Sequence, residues 1–97
     1  MPAYITLVNL TDQGIRNVKD TTKRAKAFQA MAAKAGVKVR EILWAMGRYD
    51  VVLVSEAPND ETISRGLLGL GSMGNVRTET LRAFSAKEMD KILKGLP

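Results

Sequence analysis

A short polar segment, Gly47-Arg48-Tyr49-Asp50, combines residue types that could serve a ligand site. Tyr49 could orient a bound ligand and Asp50 could act as a base. A structural role explains the same residues more simply. Gly47 permits a tight turn, Asp50 can accept hydrogen bonds from loop amides, and Tyr49 can cover the end of a core.

A second polar segment, Thr11-Asp12-Gln13-Gly14-Ile15-Arg16, follows a predicted strand. The N-terminus of a short helix and the Arg16 side chain could together bind an anion there. Capping of that helix by Thr11 or Asp12 is the favoured interpretation, because Asp12 is itself an anion at this position.

Two further pairs of residues lie on predicted strands. Arg77 and Glu79 could pair with each other or with a neighbouring strand, or they could line a pocket between sheet and helix together with Asn75. Tyr4 and Trp44, with a nearby methionine, could line a ligand site, although such side chains more often pack in a core or interface. The predicted ligand-binding residues are therefore Tyr4, Arg16, Trp44, Tyr49, Asp50, Arg77 and Glu79.

The sequence contains no histidine and no cysteine. These absences remove the commonest metal ligand, the usual haem ligand, thiolate chemistry and the side chain that most often acts as general acid and base near neutral pH. No carboxylate spacing matches a calcium-binding loop, and the glycine before Asn75 belongs to no phosphate-binding fingerprint. We therefore expect neither a metal ion nor an organic cofactor.

Hydrophobic periodicity and turn residues predict four strands separated by helices. The predicted strands are Tyr4–Asn9, Val37–Met46, Tyr49–Glu56 and Asn75–Phe84. A helix over Thr22–Ala35, ended by Gly36, separates the first two strands, and a shorter helix that starts near Pro58 and ends in glycines separates the last two. The middle strands, only Gly47-Arg48 apart, form a predicted hairpin. The capping-box spacing of Ser85-Ala86-Lys87-Glu88 predicts a last helix.

This order, β-α-β-β-α-β with a C-terminal helix, is that of a ferredoxin-like α+β fold, and the 97 residues are predicted to form one domain over 1–97. Both faces of the predicted sheet are apolar. In its third strand, Val52 and Val54 alternate with Val51 and Leu53. The two helices can cover only one face, so a second copy of the same sheet is the economical cover for the other. We therefore predict a homo-oligomer of at least two chains.

Charge and hydropathy bear on location and partners. Met1–Arg48 carries nine basic and three acidic residues, whereas the remainder carries six and seven. A basic half could favour nucleic acid, but a solvated helix face is the simpler explanation, and solvent-facing aromatic residues for base stacking are missing. The N-terminus lacks a basic region, and no apolar run approaches the ~20 residues of a membrane span. We expect a cytoplasmic protein with neither membrane nor nucleic-acid partners.

Three segments, Thr6–Thr21, Met46–Pro58 and Leu70–Ser85, together resemble the GYD-domain family. That family is named for a Gly–Tyr–Asp element near the strand hairpin, which here has the form Gly47-Arg48-Tyr49-Asp50. The resemblance covers essentially the whole chain and implies a dimeric α+β barrel, in which two ferredoxin-like sheets close face to face. It implies little about function, because the family is small, bacterial and largely uncharacterised.

Two functions follow from these observations. The first is an oligomeric protein that binds a small ligand or acts as an accessory protein, and the missing catalytic residue types favour it. The alternative is a cofactor-free enzyme, an isomerase or monooxygenase of the kind found in the dimeric α+β barrel superfamily that the resemblance implies. Such an enzyme would work through Tyr, Asp, Glu, Arg or a desolvated Lys.

Overall fold

The structure, a computed structural model, describes residues 1–97. It consists of four strands, four α-helices and one turn of 3-10 helix at Val18–Asp20. In chain order the elements are β1 (Ala3–Leu10), α1 (Asp12–Arg16), α2 (Thr21–Lys34), β2 (Lys38–Trp44), β3 (Val51–Glu56), α3 (Asp60–Ser72), β4 (Val76–Ala83) and α4 (Ala86–Lys94). The predicted β-α-β-β-α-β order with a final helix is confirmed.

The four strands form one antiparallel sheet in the order β2-β3-β1-β4. This arrangement is the ferredoxin-like α+β architecture that the sequence predicts. Along β1, buried Tyr4, Thr6 and Val8 alternate with half-buried Ile5 and Leu7. Because successive strand residues point to opposite faces, this alternation separates an inner face, covered by α2 and α3, from an outer face.

The hydrophobic core lies between the inner face and the two longer helices. α2 contributes Phe28 and Ala32, and α3 contributes Ile63 and Leu67. The remaining core residues are Tyr4, Val8, Val37, Val39, Val51, Leu53 and Ala57. α2 packs mainly against β2, and α3 packs mainly against β4. The two helices therefore stand apart above the middle of the sheet.

Local signals set most helix ends as predicted. Thr11 caps α1, since its Oγ1 accepts a hydrogen bond from the Gly14 amide. Gly36 follows α2 with a φ of 87°, a left-handed conformation that favours glycine. Ser85 and Glu88 form the predicted capping box of α4.

The connection between β2 and β3 is longer than predicted. The sequence suggests a break of two residues, whereas β2 ends at Trp44 and β3 begins at Val51. Asp50 closes the loop, because its backbone carbonyl accepts a hydrogen bond from the Ala45 amide and its own amide donates to the Val8 carbonyl. Because the loop is anchored to β1 in this way, the pairing between β2 and β3 ends at Trp44 and Val51.

Both ends of α3 agree with the prediction, whereas one interior residue differs from it. Asn59 is the N-cap, and its side chain accepts a hydrogen bond from the Thr62 amide. The helix ends at Ser72, among the glycines Gly69, Gly71 and Gly74. The sequence predicts an apolar stripe of Ile63, Leu67, Leu68 and Leu70 on this helix, but Leu68 is 74% exposed. One residue beyond Leu67 turns the side chain about 100° around the axis, away from the sheet.

The last helix, α4, extends away from the rest of the fold. None of its residues is buried, and it packs extensively against no other element. An ion pair between Arg82 and Glu88, 3.6 Å from Nη2 to Oε2, links it to β4. No helix of the protein has the length and apolar character needed to cross a membrane.

Candidate functional site

An apolar pocket of about 190 Å³ lies between the inner face of the sheet and the gap separating α2 from α3. Thirteen of its sixteen lining residues are hydrophobic. The hydrophobic lining comprises Val8, Leu10, Ala25, Ala27, Phe28, Met31, Ile42, Trp44, Val51, Leu53, Leu70, Met73 and Val76. A cavity of this size and lining suits a small apolar body, since an apolar cavity of about 150 Å³ holds benzene.

Trp44 is the predicted site residue that lines this pocket. It is the last residue of β2 and is 45% exposed, so its ring faces both the pocket and solvent. Its indole Nε1–H donates a hydrogen bond of 3.0 Å to Thr21 Oγ1 at the start of α2. Trp44 is also the chain's single tryptophan, which makes its fluorescence a specific reporter of the pocket.

Three polar residues complete the lining, Thr21, Arg24 and Asn75, and we call them the polar rim. The Asn75 side-chain oxygen accepts a 3.0 Å hydrogen bond from Gln13 Nε2, as Thr21 Oγ1 does from Trp44. Arg24 Nη2 donates to the Asn17 carbonyl at 2.9 Å and forms no ion pair. Each rim oxygen therefore already accepts one hydrogen bond within the protein, while hydrogen-bond donors remain available to a ligand.

The segment around α1 holds the polar rim together. Asn17 Nδ2 donates to the Gln13 carbonyl at 2.9 Å, and Gln13 Nε2 reaches Asn75. A continuous chain of hydrogen bonds thus runs from Arg24 through Asn17 and Gln13 to Asn75. The backbone closes the same contact, since the Thr11 amide donates to the Asn75 carbonyl at 3.0 Å.

A second cavity, of about 220 Å³, lies on the other side of Phe28 and Met31, which line both cavities. It occupies the groove between α2 and the middle of α3. Arg65 is its single charged lining residue. The gap between the two helices is therefore apolar along its length, with one arginine beside each cavity.

Tyr49 and Asp50 lie outside both cavities. Asp50 Oδ2 accepts a 2.8 Å hydrogen bond from the Leu10 amide, and Tyr49 Oη donates to Glu79 Oε1 at 3.1 Å. Asp50 thus satisfies an amide at the end of β1, as the structural interpretation of the turn expects. The two adjacent residues bind different strands and do not converge on one ligand position.

Arg77 and Glu79 do not line the inner pocket with Asn75, one of the alternatives that the sequence leaves open. Glu79 pairs with Leu7 across the ladder, and Arg77 pairs with Asn9, which places both charged side chains on the outer face. They form no ion pair with each other. The sequence pattern gives their alternation correctly, but the face depends on the register with β1.

Tyr4 and Arg16 occupy two further separate places. Tyr4 is buried near the start of α3, and its Oη donates a short hydrogen bond of 2.5 Å to Asp60 Oδ1. That hydrogen bond raises the pKa of the Tyr4 hydroxyl, and burial acts in the same direction. Arg16 is exposed in the last turn of the five-residue α1. Among the seven predicted residues, only Tyr49 and Glu79 are joined by a side-chain hydrogen bond.

Sequence reasoning missed the two polar-rim residues on α2. A signal was present, because Thr21, Arg24, Phe28 and Met31 follow one another at intervals of three or four and so share a helix face.

No group of three or more acidic side chains lies close enough together to hold a metal ion.

The outer face of the sheet carries a second candidate surface. In the ladder, Leu7 lies beside Val52, and Ile5 lies between Val54 and Leu81. Leu43 extends the row on β2 and is 54% exposed. We define the apolar outer face as Ile5, Leu7, Leu43, Val52, Val54 and Leu81. No element of the chain covers it.

The sheet, its two covering helices and the cavity between them define a ferredoxin-like α+β protein with an internal apolar pocket. The chain belongs to the GYD-domain family, because the GYD domain model matches residues 4–93. The resemblance predicted from three sequence segments is thereby confirmed.

Similarity to Thermus thermophilus was found both in sequence and in structure. A relative named "Glutamine synthetase and cystathionine beta-lyase binding protein" is 36% identical over 95 residues, which cover 97% of this chain and all of that protein. The crystal structure of TTHA0845 matches with a TM-score of 0.57 and 26% identity over 89% of this chain and 96% of that one.

Proposed function

We propose that this protein is a cytoplasmic, homodimeric accessory protein that binds a small apolar ligand in the pocket between its sheet and helices. The pocket itself carries the proposal. Its lining is almost wholly hydrophobic, with a few polar groups at one side, which is the composition of a small-molecule binding site. No carboxylate, tyrosine or lysine lines it, so its residues favour binding over proton transfer.

A second copy of the chain completes the proposed protein. Six apolar side chains on the outer face have no cover in one chain, and α4 does not supply one. Exposed apolar patches of this kind mark interaction sites. A twofold axis would place the same face against itself and bury both sheets at once.

Titration with 1-octanol and with octanoate, monitored by Trp44 emission, tests the pocket. We expect a saturable change in emission with at least one of these ligands. Ala25→Phe places a ring inside the lining and should weaken this binding at least about tenfold, because the cavity then lacks room for the ligand. Ala30→Phe, on the exposed side of the same helix, is the matched control and should bind normally.

The proposed ligand site is contradicted if neither ligand changes Trp44 emission. It is equally contradicted if Ala25→Phe and Ala30→Phe bind alike. Thermal unfolding of both variants shows whether the Ala25→Phe side chain is accommodated in the folded protein.

Binding of a partner protein is the second candidate function, and the exposed apolar residues of α4 support it. Met89, Ile92 and Leu93 recur at helical spacing on α4 and are 42–51% exposed, and Leu96, just beyond the helix, is 64% exposed. A nine-residue helix that buries none of its residues is marginal in water, so this stripe is expected to pack on a partner. The relative named for binding glutamine synthetase and cystathionine beta-lyase makes a metabolic enzyme the partner that we propose.

Co-sedimentation with purified glutamine synthetase and cystathionine beta-lyase from the organism that produces this protein tests this candidate. Ile92→Gln should weaken a complex by about tenfold or more, because it removes a central apolar contact. Lys91→Gln, on the adjacent polar side, should leave it unchanged. Equal effects of the two variants, or no complex with either enzyme, would rule out α4 as the docking helix for these enzymes.

A further inference from the structure

We infer that the ligand of the inner pocket is a small monocarboxylate, with an apolar body in the cavity and its carboxylate at the polar rim beside Arg24. This inference rests on the proposed ligand-binding function and specifies the chemical class of the ligand. Its basis is the charge and the hydrogen-bonding capacity of the three polar lining residues.

The charge of the pocket is one-sided. Arg24 is the single charged residue among the sixteen that line the cavity, and no carboxylate is among them. The two ion pairs of the chain, Arg40–Glu56 and Arg82–Glu88, leave Arg24 without an acidic partner. Arg24 as a whole is half-buried, and a guanidinium beside apolar surface favours an anion, since its planar donors match a carboxylate in a bidentate contact.

The two neutral residues of the polar rim, Thr21 and Asn75, also favour a ligand that accepts hydrogen bonds. Thr21 Oγ1 accepts from the Trp44 indole, so its hydroxyl hydrogen can be donated elsewhere. The Asn75 side-chain oxygen is engaged by Gln13, which leaves its amide hydrogens for a ligand. All three rim residues therefore offer donors, and a ligand that supplies only acceptors complements them.

The position of Arg24 is set by the protein before any ligand binds. Its guanidinium donates to the Asn17 carbonyl at 2.9 Å, and Asn17 is held in turn by the Gln13 carbonyl. This anchor uses one donor nitrogen and leaves the others available. Pre-organisation of this kind increases affinity, because less side-chain freedom is lost on binding.

The size of the cavity limits the apolar body. A volume of about 190 Å³ exceeds that of a benzene-holding cavity by a small margin. A short alkyl chain or a single aromatic ring fits, whereas a fused polycyclic body does not. Octanoate, with its neutral counterpart 1-octanol, is therefore a suitable pair of probes.

Comparison of the two probes by Trp44 emission tests the inference. We expect octanoate to bind about tenfold more tightly than 1-octanol at neutral pH, because a charge-assisted contact exceeds a neutral hydrogen bond by about this factor. Arg24→Gln should weaken octanoate binding about tenfold and 1-octanol binding less than twofold. Glutamine removes the charge and keeps a polar side chain, and the affinity for 1-octanol shows whether the apolar part of the pocket is unchanged.

Lys23→Gln is the matched control. It removes the same charge from the neighbouring exposed position on α2 and should leave octanoate affinity unchanged within twofold. Stronger binding of 1-octanol, or equal losses in Arg24→Gln and Lys23→Gln, would overturn the carboxylate inference while the proposed ligand-binding function stands. Absence of binding by both probes would overturn the two together.

Discussion

Replacement of Gly14 by alanine is expected to destabilise the protein by about 3 kcal/mol, the upper part of the range for inserting an atom into a packed site. A Cβ built at this position lies 2.0 Å from the Asn75 carbonyl oxygen, far inside van der Waals contact. Neither side can yield easily, because the same carbonyl accepts the hydrogen bond from the Thr11 amide that ties α1 to the start of β4.

Gly69→Ala provides the matched control on the neighbouring helix. No atom lies within 4 Å of a Cβ at Gly69, and glycine inside a helix costs about 0.5–1 kcal/mol relative to alanine. This control should therefore stabilise the protein slightly. Chemical and thermal unfolding measure both variants, and for a domain of this size the expected fall in melting temperature for Gly14→Ala is about 15 °C. A Gly14→Ala protein as stable as the parent would show that the contact between α1 and β4 is looser than described.

Local sequence signals sufficed for most of the fold. Alternating burial along β1, the left-handed Gly36 and the Ser85 capping box all act between residues close in sequence. Such interactions depend little on the rest of the chain, so periodicity and capping rules detect them. The order of strands and helices followed from these signals together.

The features that the sequence did not predict arise from contacts between distant residues. The loop between β2 and β3 is long because the Asp50 carboxylate binds the Leu10 amide, a contact across forty positions. The polar rim assembles because Gln13 reaches Asn75, sixty-two positions away. The pocket exists because α2 and α3 stand apart on the sheet, and no single segment encodes that separation.

Separation of the seven predicted site residues has the same origin. The side-chain chemistry of each residue predicts a site, and strand alternation correctly divides the sheet into two faces. Alternation alone does not say which face the helices cover, or how far apart two residues on one face lie. Trp44 thus lies at the inner pocket, whereas Tyr49 and Glu79 meet elsewhere through their hydrogen bond.

The inner pocket and the apolar outer face depend on different residues of the sequence. The inner pocket needs small and aromatic residues on α2, where Ala25 and Phe28 lie, while the outer face needs apolar residues at alternate strand positions. In β3, Val51 and Leu53 belong to the hydrophobic core, whereas Val52 and Val54 do not. Cover by a second chain is the simplest physical reason for their hydrophobicity.

Val52→Glu is accordingly expected to convert the proposed dimer into a monomer at micromolar concentration. Val52 lies next to Leu7 and Leu43 in the ladder, at the middle of the apolar outer face. A twofold interface would bury two introduced carboxylates among apolar side chains, at a cost of several kcal/mol. A loss of about 4 kcal/mol weakens the dissociation constant about a thousandfold. In a monomer the same side chain meets solvent, so the fold should persist.

Sedimentation velocity over a range of concentrations measures this effect, and circular dichroism reports whether the sheet is retained. Leu68→Glu, at a 74% exposed position of α3, is the control and should sediment as the parent protein does. Leu43→Lys gives an independent second disruption, since its side chain is already 54% exposed and the monomer should tolerate a lysine there. A parent chain that sediments as a monomer, or a dimer that survives both Val52→Glu and Leu43→Lys, would show that the outer face is not the interface between copies, because two charges on a covered apolar surface cannot both be tolerated.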